Sequence, residues 1–328
     1  MTTNRKFSGE FVDFDKVKSR KSSCETIIEV NNQWLLENAD EVGSGFYAQT
    51  LTENKNAQVE IEKLNKVLTT EPPPSVLPPR QPLFKVCGVL EEFSVQKVIG
   101  YFTDREYAPE EFAQQETSDQ VGGLLLAITG NAAASAVTSQ SRVRQDDASD
   151  FVRGKINGIP FHGWLGKTNA QLGDYVELAA TGEEDHYVVY ALAIPELRTI
   201  SITPRCGCGR EGEISFGKYA LLIVGSPFLL LLIYLRFRGV DWTGVFFCAA
   251  IFLGMLMAAY FFAIRSIRKK PNPTTLLSES IFSVLGFPEP LKIDLPAITK
   301  KRLKTELLKV NNRPMPDRRA WQDYFFYY

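Results

Sequence analysis

Hydrophobic residues are concentrated in two uncharged stretches in the second half of the chain. Tyr219 to Leu235 is 17 residues long and Thr243 to Ile264 is 22 residues long. As α-helices they would cover roughly 25 Å and roughly 33 Å, against a hydrocarbon core of about 30 Å. The pattern predicts two membrane-spanning helices, although a buried helical pair in a soluble protein gives a similar pattern. The residues assigned to the spans are Tyr219, Leu230, Leu235, Trp242, Phe247, Leu253 and Ile264.

A seven-residue connector, Arg236 to Trp242, joins the two stretches. Helices joined so tightly are antiparallel, so residues 219–264 are predicted to form a transmembrane hairpin. Seven basic residues flank the hairpin outside, against two in the connector, and the positive-inside rule then places both termini in the cytoplasm. The flanking residues that we predict at the membrane surface are Arg205, Arg210, Lys218, Arg265, Arg268, Lys269 and Lys270.

Strand patterns dominate the chain before the hairpin. Leu83–Leu90 and Val95–Phe102 are rich in Val, Phe and Ile and predict two strands. Asn157-Gly158 lies between apolar residues, a strong signal for a β-hairpin with a type I′ turn. Three more strands are predicted at Asp174–Ala180, His186–Ala193 and Thr199–Pro204. So many short strands close together indicate a small β-barrel or a rolled antiparallel sheet.

Prolines divide the first half of the chain. Residues 72–82 contain six prolines and predict an extended linker. This linker separates a helical or mixed region, residues 1–71, from a β-rich domain at residues 83–210. Helices are predicted in the first region at Ile27–Leu36 and Ala57–Leu68, from their apolar spacing.

A stretch without charge at residues 121–137 is rich in Gly, Ala and Ser. Small residues recur four apart, as Gly123 with Ala127 and Gly130 with Ala134, and this spacing allows close helix packing in lipid. We predict a helix here, either membrane-active or packed tightly on the barrel.

Charge is segregated across the hairpin. The whole chain has 37 basic and 38 acidic residues, which argues against a nucleic-acid binder held by net charge. Residues 265–328, by contrast, hold 13 basic and 6 acidic residues and form a basic tail with a helix around Lys300 to Lys309. The predicted fold class is therefore an α+β membrane protein: a small β-barrel or rolled sheet with helices, then a transmembrane hairpin and a helical basic tail.

Catalytic and metal-binding signatures are missing from the sequence. The two histidines, His162 and His186, have no partners at metal-ligand or triad spacing. Cys206-Gly-Cys208 lacks the second ligand pair that a zinc site needs, so a tight turn is the preferred interpretation and a metal or redox role the alternative. No phosphate-binding glycine loop or nucleophile elbow occurs. We predict a protein that is not an enzyme and has no cofactor; a hydrolase with dispersed residues is the alternative.

Several short motifs follow one another before and after the hairpin. They are Asn157–Gly166, Gly173–Leu178, Tyr190–Ser201, Pro204–Arg210, the Leu285-Gly-Phe-Pro turn and the terminal tyrosines. Through them, residues 83–328 resemble a bacterial family described as type VI secretion effectors. The resemblance implies an antibacterial protein that is delivered into another cell.

Two functional hypotheses follow from the sequence. In the first, the chain is a non-enzymatic effector that inserts its hairpin into the inner membrane of a target bacterium and permeabilises it. Its partners would be the lipid bilayer, a loading protein of the secretion machine, a cognate immunity protein and further copies of the chain, and not nucleic acid. In the second, the chain is a resident inner-membrane protein, a hairpin-anchored scaffold or binding protein with a cytoplasmic β-domain.

Overall fold

A computed structural model describes residues 11–39, 43–110, 112–114, 146–215, 226, 234, 236–239, 241–305 and 313–328. The predicted Gly/Ala-rich helix, with Gly123, Ala127, Gly130 and Ala134, lies outside the described residues. Most of the first predicted span does too, including Tyr219, Leu230 and Leu235, and so does Lys218.

Two long helices form the N-terminal part of the fold. Helix α1 (Phe14–Glu37) begins at Asp13, whose carboxylate accepts a hydrogen bond from the Lys16 amide at 3.0 Å. Helix α2 (Gly45–Leu68) begins at Ser44, whose hydroxyl accepts from the Tyr47 amide at 3.1 Å. These side chains satisfy amide groups that have no partner inside the helix. The two helices pack against each other, and their predicted positions on the chain are confirmed with longer bounds.

Five strands close into a barrel. They are β1 (Phe84–Tyr101), β2 (Asp146–Ile156), β3 (Ile159–Leu165), β4 (Tyr175–Gly182) and β5 (Tyr187–Ile194). The first six residues of β1 pair with β4 and its remainder pairs with β2. β3 pairs with β2 on one side and, in parallel, with β5 on the other. The resulting order β1-β2-β3-β5-β4-β1 is that of an OB-type barrel and confirms the predicted small barrel.

The Asn157-Gly158 turn is confirmed, whereas the two strands predicted between Leu83 and Phe102 are one strand. Asn157 and Gly158 have φ values of 52° and 77°, as a type I′ turn requires. β1 runs for 18 residues and shifts its register between Leu90 and Glu92. Such a bulge bends and twists a strand, so a single β1 can turn a corner of the barrel and pair with two neighbours.

Alternate residues of the strands fill the barrel. Val152, Ile156, Leu165, Val176 and Leu178 point into it and have no exposed surface. Val176 and Leu178 alternate with Tyr175 and Glu177, and this alternation is the pattern that predicted β4, so local sequence and barrel interior agree there.

The chain after the predicted hairpin packs on the barrel and adds a strand to its sheet. Strand β6 (Thr199–Ile202) extends the sheet beyond β5, and β7 (Phe325–Tyr327) pairs with β6. Further helices are α3 (Asp104–Tyr107), α4 (Trp242–Lys269), α5 (Pro273–Leu285), α6 (Leu295–Thr305) and α7 (Ala320–Asp323), with a 3-10 turn at Pro290–Lys292.

Helix α5 supplies much of a second hydrophobic core. Its Ile281 and Phe282 are 0% exposed and belong to one cluster with Tyr190 and Ile200 of the sheet and Phe326 of β7. Burying a side chain such as Phe282 contributes about 1.5 to 3 kcal/mol. The basic tail is therefore a structural layer of the barrel, and the terminal aromatic residues dock as a strand.

The proline-rich segment, which the sequence predicts as a spacer, is fixed to the barrel. We call residues 72–82 the proline strap. The Pro73 carbonyl accepts a hydrogen bond from the Trp164 indole at 2.9 Å, and the Val76 carbonyl accepts one from the Tyr190 hydroxyl at 2.9 Å. Leu77 and Leu83 pack against the second core. Extended proline geometry leaves carbonyl groups without backbone partners, and the barrel's side chains satisfy two of them.

Candidate functional site

The two ends of the segment that includes the predicted hairpin meet on the barrel. The Glu213 carboxylate accepts hydrogen bonds from the Asn272 amide at 2.6 Å and from the Thr275 hydroxyl at 2.9 Å. Arg210 donates its backbone N–H to the Glu279 carboxylate at 2.9 Å and pairs with it through the guanidinium at 3.3 Å. We call Arg210, Glu213, Asn272, Thr275 and Glu279 the clamp. It holds the departing and the returning chain together.

Backbone contacts extend the clamp towards α6. Gly209 donates its N–H to the Ile293 carbonyl at 2.8 Å, and Leu295 donates its N–H to the Gly207 carbonyl at 3.0 Å. A Cβ on Gly209 would lie 2.4 Å from the Pro290 carbonyl oxygen, so the close approach requires glycine. The departing chain is thus bound on both sides before residue 216.

The Cys206 and Cys208 thiols are parts of this packing. Burial raises the pKa of Cys206 to about 11, and burial together with the nearby Asp294 carboxylate raises the pKa of Cys208 to about 12. Both thiols are protonated at neutral pH, while nucleophiles and metal ligands need the thiolate. Within the described residues no group of three His, Cys, Asp or Glu side chains could hold a metal ion.

Helix α4 is the second predicted span. It is 28 residues long and begins at Asp241, whose side chain accepts a hydrogen bond from the Gly244 amide at 3.3 Å. Among the described residues it is the one helix long and apolar enough to cross a membrane, and none of its most apolar window is buried inside the protein. Phe247 is 68% and Leu253 62% exposed. The Trp242 ring carries the Arg236 guanidinium 5.1 Å above it, and Ile264 is half-buried.

The predicted membrane-surface basic residues fall into two groups. Arg205 is bonded to the Asp147 carboxylate at 2.9 Å and Arg210 belongs to the clamp, so both guanidinium groups are engaged by carboxylates of the barrel and of α5. By contrast, four basic residues at the end of α4 are exposed: Arg265, Arg268, Lys269 and Lys270. Only the second group follows directly on an apolar helix.

A cleft of about 640 Å³ lies on the outer face of β1, β2 and β3. The proline strap and the loop between β4 and β5 form its other walls, and we call it the strap cleft. Its polar and charged lining residues are Glu92, Ser94, Arg153, His162, Asp185 and His186.

A row of stacked rings forms one wall of the strap cleft. The Arg153 guanidinium lies over the Phe151 ring, 4.9 Å from its centroid. The Phe151 and His162 centroids are 5.9 Å apart, and the His162 and His186 rings stack at 4.8 Å with an interplanar angle of 27°. The sequence shows no pairing of the two histidines. They meet because β3 pairs in parallel with β5, a long-range contact that no local pattern signals.

Carboxylates surround one end of this row. His186 Nδ1 lies 2.8 Å from Asp185 Oδ1, and Nε2 lies 3.5 Å from Glu183 Oε2. The hydrogen bond from His186 lowers the pKa of Asp185, so this carboxylate is charged at neutral pH. Burial, and next the neighbouring His186, lower the pKa of His162. The cleft therefore holds a neutral His162 between charged groups of opposite sign.

Comparisons with protein-family models, with curated proteins and with solved structures give no match to this chain. The resemblance to type VI secretion effectors therefore stays a prediction from the motifs. The barrel topology alone does not define a function, since unrelated functions occur on the same fold.

Proposed function

We propose that the protein is a membrane-anchored binding protein. A hairpin at residues 219–264 crosses a bilayer twice, and the clamp fixes the barrel at the membrane surface. The observation that carries this proposal is the bond between Glu213 and Asn272, because it joins the two ends of a segment whose helix α4 has no buried residue in its most apolar window.

The length of α4 supports a chain that crosses the bilayer and returns to the side of the barrel. At 1.5 Å per residue its 28 residues measure about 42 Å, enough to cross a hydrocarbon core of about 30 Å. Its C-terminal end lies three residues before the clamp, so its N-terminal end lies several tens of ångströms away. The chain that leaves the clamp must cover the same distance before it reaches Trp242.

The charges at the base of α4 support an orientation. Arg265, Arg268, Lys269 and Lys270 would lie at the headgroups on the side of the barrel, and the positive-inside rule makes that side cytoplasmic. Each basic residue near an anionic leaflet contributes about 1 kcal/mol of attraction. The barrel, the α1–α2 pair and the C-terminal layer would then share the cytoplasmic side, because all are packed together.

The clamp favours an anchor over a permeabilising effector. The Glu213 and Glu279 carboxylates hold the base of the hairpin, so its position relative to the barrel is fixed. A fixed position suits a protein that holds a binding domain at the membrane. Permeabilisation by a type VI effector is the competing proposal, and it makes a different prediction in the same cells.

The test is expression of the full chain in a bacterium, with carbonate washing of the membranes and measurement of membrane potential. The wild type should resist the wash. The double variant Leu253→Asp/Met257→Asp should be released, because each charge in mid-membrane costs about 2.5 to 3.5 kcal/mol. The matched control Leu253→Ile/Met257→Leu should behave as the wild type.

Each result has a definite meaning. Retention of the wild type with normal membrane potential supports the anchored binding protein. Depolarisation that disappears in the double Asp variant supports the effector instead. Release of the intact wild-type chain by carbonate would overturn both.

A further inference from the structure

Opposite charges face the strap cleft without neutralising each other. Arg153 is exposed, its guanidinium is held against the Phe151 ring, and within the described part of the chain it forms no ion pair. Glu92, on the neighbouring strand β1, is exposed in the same cleft and likewise forms no ion pair with any described residue. Asp185, on the loop between β4 and β5, adds a second carboxylate.

Stacking fixes the positive side of the cleft. A planar guanidinium held against an aromatic ring keeps its N–H groups in a constant direction, and it can bind a carboxylate or phosphate in a bidentate manner. Arg153 therefore offers a pre-positioned anion contact at little further entropic cost.

The negative side of the cleft excludes some ligands. A polyanion such as nucleic acid would meet the Glu92 and Asp185 carboxylates, and unpaired like charges disfavour it. A simple cation would meet Arg153. A ligand that carries both charges satisfies both sides, and a cleft of about 640 Å³ lies in the usual size range for small molecules.

We propose that the strap cleft binds a small zwitterion, with the ligand's anionic group on Arg153 and its ammonium group on Glu92, which lies diagonally across from Arg153 on β1. The His162 and His186 rings form the wall on the opposite side of Arg153 from Glu92. Neutral His162 can exchange a hydrogen bond with the ligand without disturbing the charge balance. Two sources supply this chemistry: free amino acids and the phosphoethanolamine headgroup of a phospholipid.

This inference rests on the proposed role of the barrel as a binding module, and names its ligand class. Membrane anchoring is measured by the carbonate wash, whereas ligand binding is measured on the purified chain. A failure of one experiment therefore leaves the other informative.

The test uses the full chain in a non-ionic maltoside detergent at pH 7.5. Titration calorimetry measures binding of O-phosphoethanolamine, L-alanine, L-glutamine and L-phenylalanine. Acetate, inorganic phosphate and ethanolamine serve as single-charge controls. The imidazole NMR signals of His162 and His186 report on the site itself, and because the chain has two histidines each signal can be assigned with one variant.

We expect at least one zwitterion to bind at least tenfold more tightly than every single-charge probe and to shift both histidine signals. Arg153→Gln and Glu92→Gln should each weaken that binding at least tenfold. Lys301→Gln, which removes an exposed charge on α6 outside the cleft lining, should leave it unchanged. Preference for O-phosphoethanolamine would indicate the lipid source, and preference for an amino acid the free one.

Three outcomes would overturn the proposal. The first is that no zwitterion binds. The second is that inorganic phosphate or acetate binds as tightly as the best zwitterion, which would make the cleft an anion site. The third is that Arg153→Gln binds the ligand as the wild type does.

Discussion

The side chains of Glu213 and Asn272 are joined by a 2.6 Å hydrogen bond although 59 residues separate them along the chain. Glu213 follows the last residues of the barrel sheet before the predicted hairpin, and Asn272 is the N-cap of α5, which packs on that sheet. The segment between them is therefore an insertion into an otherwise continuous fold. The hydrogen bond holds the two ends of this insertion together, whether the residues between them lie in lipid or in water.

Removing the Glu213 side chain should destabilise the base of the insertion. Glu213→Ala leaves the Asn272 amide and the Thr275 hydroxyl without their carboxylate, and we expect a loss of about 1 to 3 kcal/mol in the free energy of unfolding. Urea unfolding in maltoside measures it. Glu211→Ala, an exposed carboxylate two residues earlier, is the control and should change stability by less than about 0.5 kcal/mol.

Truncating Phe282 tests whether the C-terminal layer stabilises the barrel. Phe282 is 0% exposed in the second core, so Phe282→Ala should cost about 3 to 5 kcal/mol. Leu276→Ala lies on the same helix, at a position 45% exposed, and should cost much less. Thermal unfolding, monitored by the circular dichroism signal of the strands, distinguishes the two variants. Equal midpoints for the two variants would mean that α5 and the barrel unfold independently.

Acidification should weaken the contact between β3 and β5 through His162. Burial and the adjacent His186 lower its pKa in the folded state, with Arg153 adding to the effect and Glu183 opposing it. The unfolded chain therefore binds the proton more readily. This contribution to stability is complete above the ordinary value of 6.5 and is lost as the pH falls below it.

The variant His162→Gln removes this titration. Its stability should depend less on pH between about 7 and 5 than that of the wild type. NMR titration of the imidazole signals measures the pKa directly. A His162 pKa at or above 6.5 in the folded protein would contradict the prediction.

Asp150 should show the opposite dependence on pH. This carboxyl group is buried on β2 and accepts a hydrogen bond from the Thr168 backbone amide at 2.9 Å. Burial raises its pKa from 3.8 to about 6. The folded state therefore holds the proton more tightly, and the stabilisation present below pH 3.8 is lost as the pH rises through about 6. By linkage the loss amounts to as much as about 3 kcal/mol.

Asp150→Asn keeps an acceptor for Thr168 and removes the buried charge. The variant should be more stable than the wild type at pH 7.5 by about 1 to 3 kcal/mol and should equal it near pH 4. Asp146→Asn, at an exposed position of the same strand, is the control. If Asp150→Asn gains nothing at pH 7.5, the nearby lysines already compensate the charge.

Local sequence predicted the parts of the fold that depend on local physics. Asn157-Gly158 indicated its turn because few residue pairs adopt two successive positive φ values, and the structure has both. Alternation located β4, β5 and β6 to within a few residues. The division of β1 into two strands was wrong, because the Glu91-Glu92 pair interrupts the apolar pattern where the strand has a bulge.

Features that depend on distant contacts were not visible in the sequence. The amphipathic pattern of α5 shows that one face is buried, but not that the partner is the outer face of the sheet. The proline-rich composition gives an extended backbone and says nothing of Trp164 and Tyr190, which bind its carbonyls. The stacking of His162 on His186 follows from the three-residue parallel pairing of β3 and β5. No pattern in the sequence therefore predicted the strap cleft.

The position of β7 sets an order of events during translation. The ribosome releases the apolar insertion before it has made Phe325 to Tyr327, the strand that completes the sheet beside β6. The second core, which needs Phe282 and Phe326, can form only after that. If the insertion enters lipid as it is made, the nascent protein becomes attached to the membrane first and finishes its soluble architecture there.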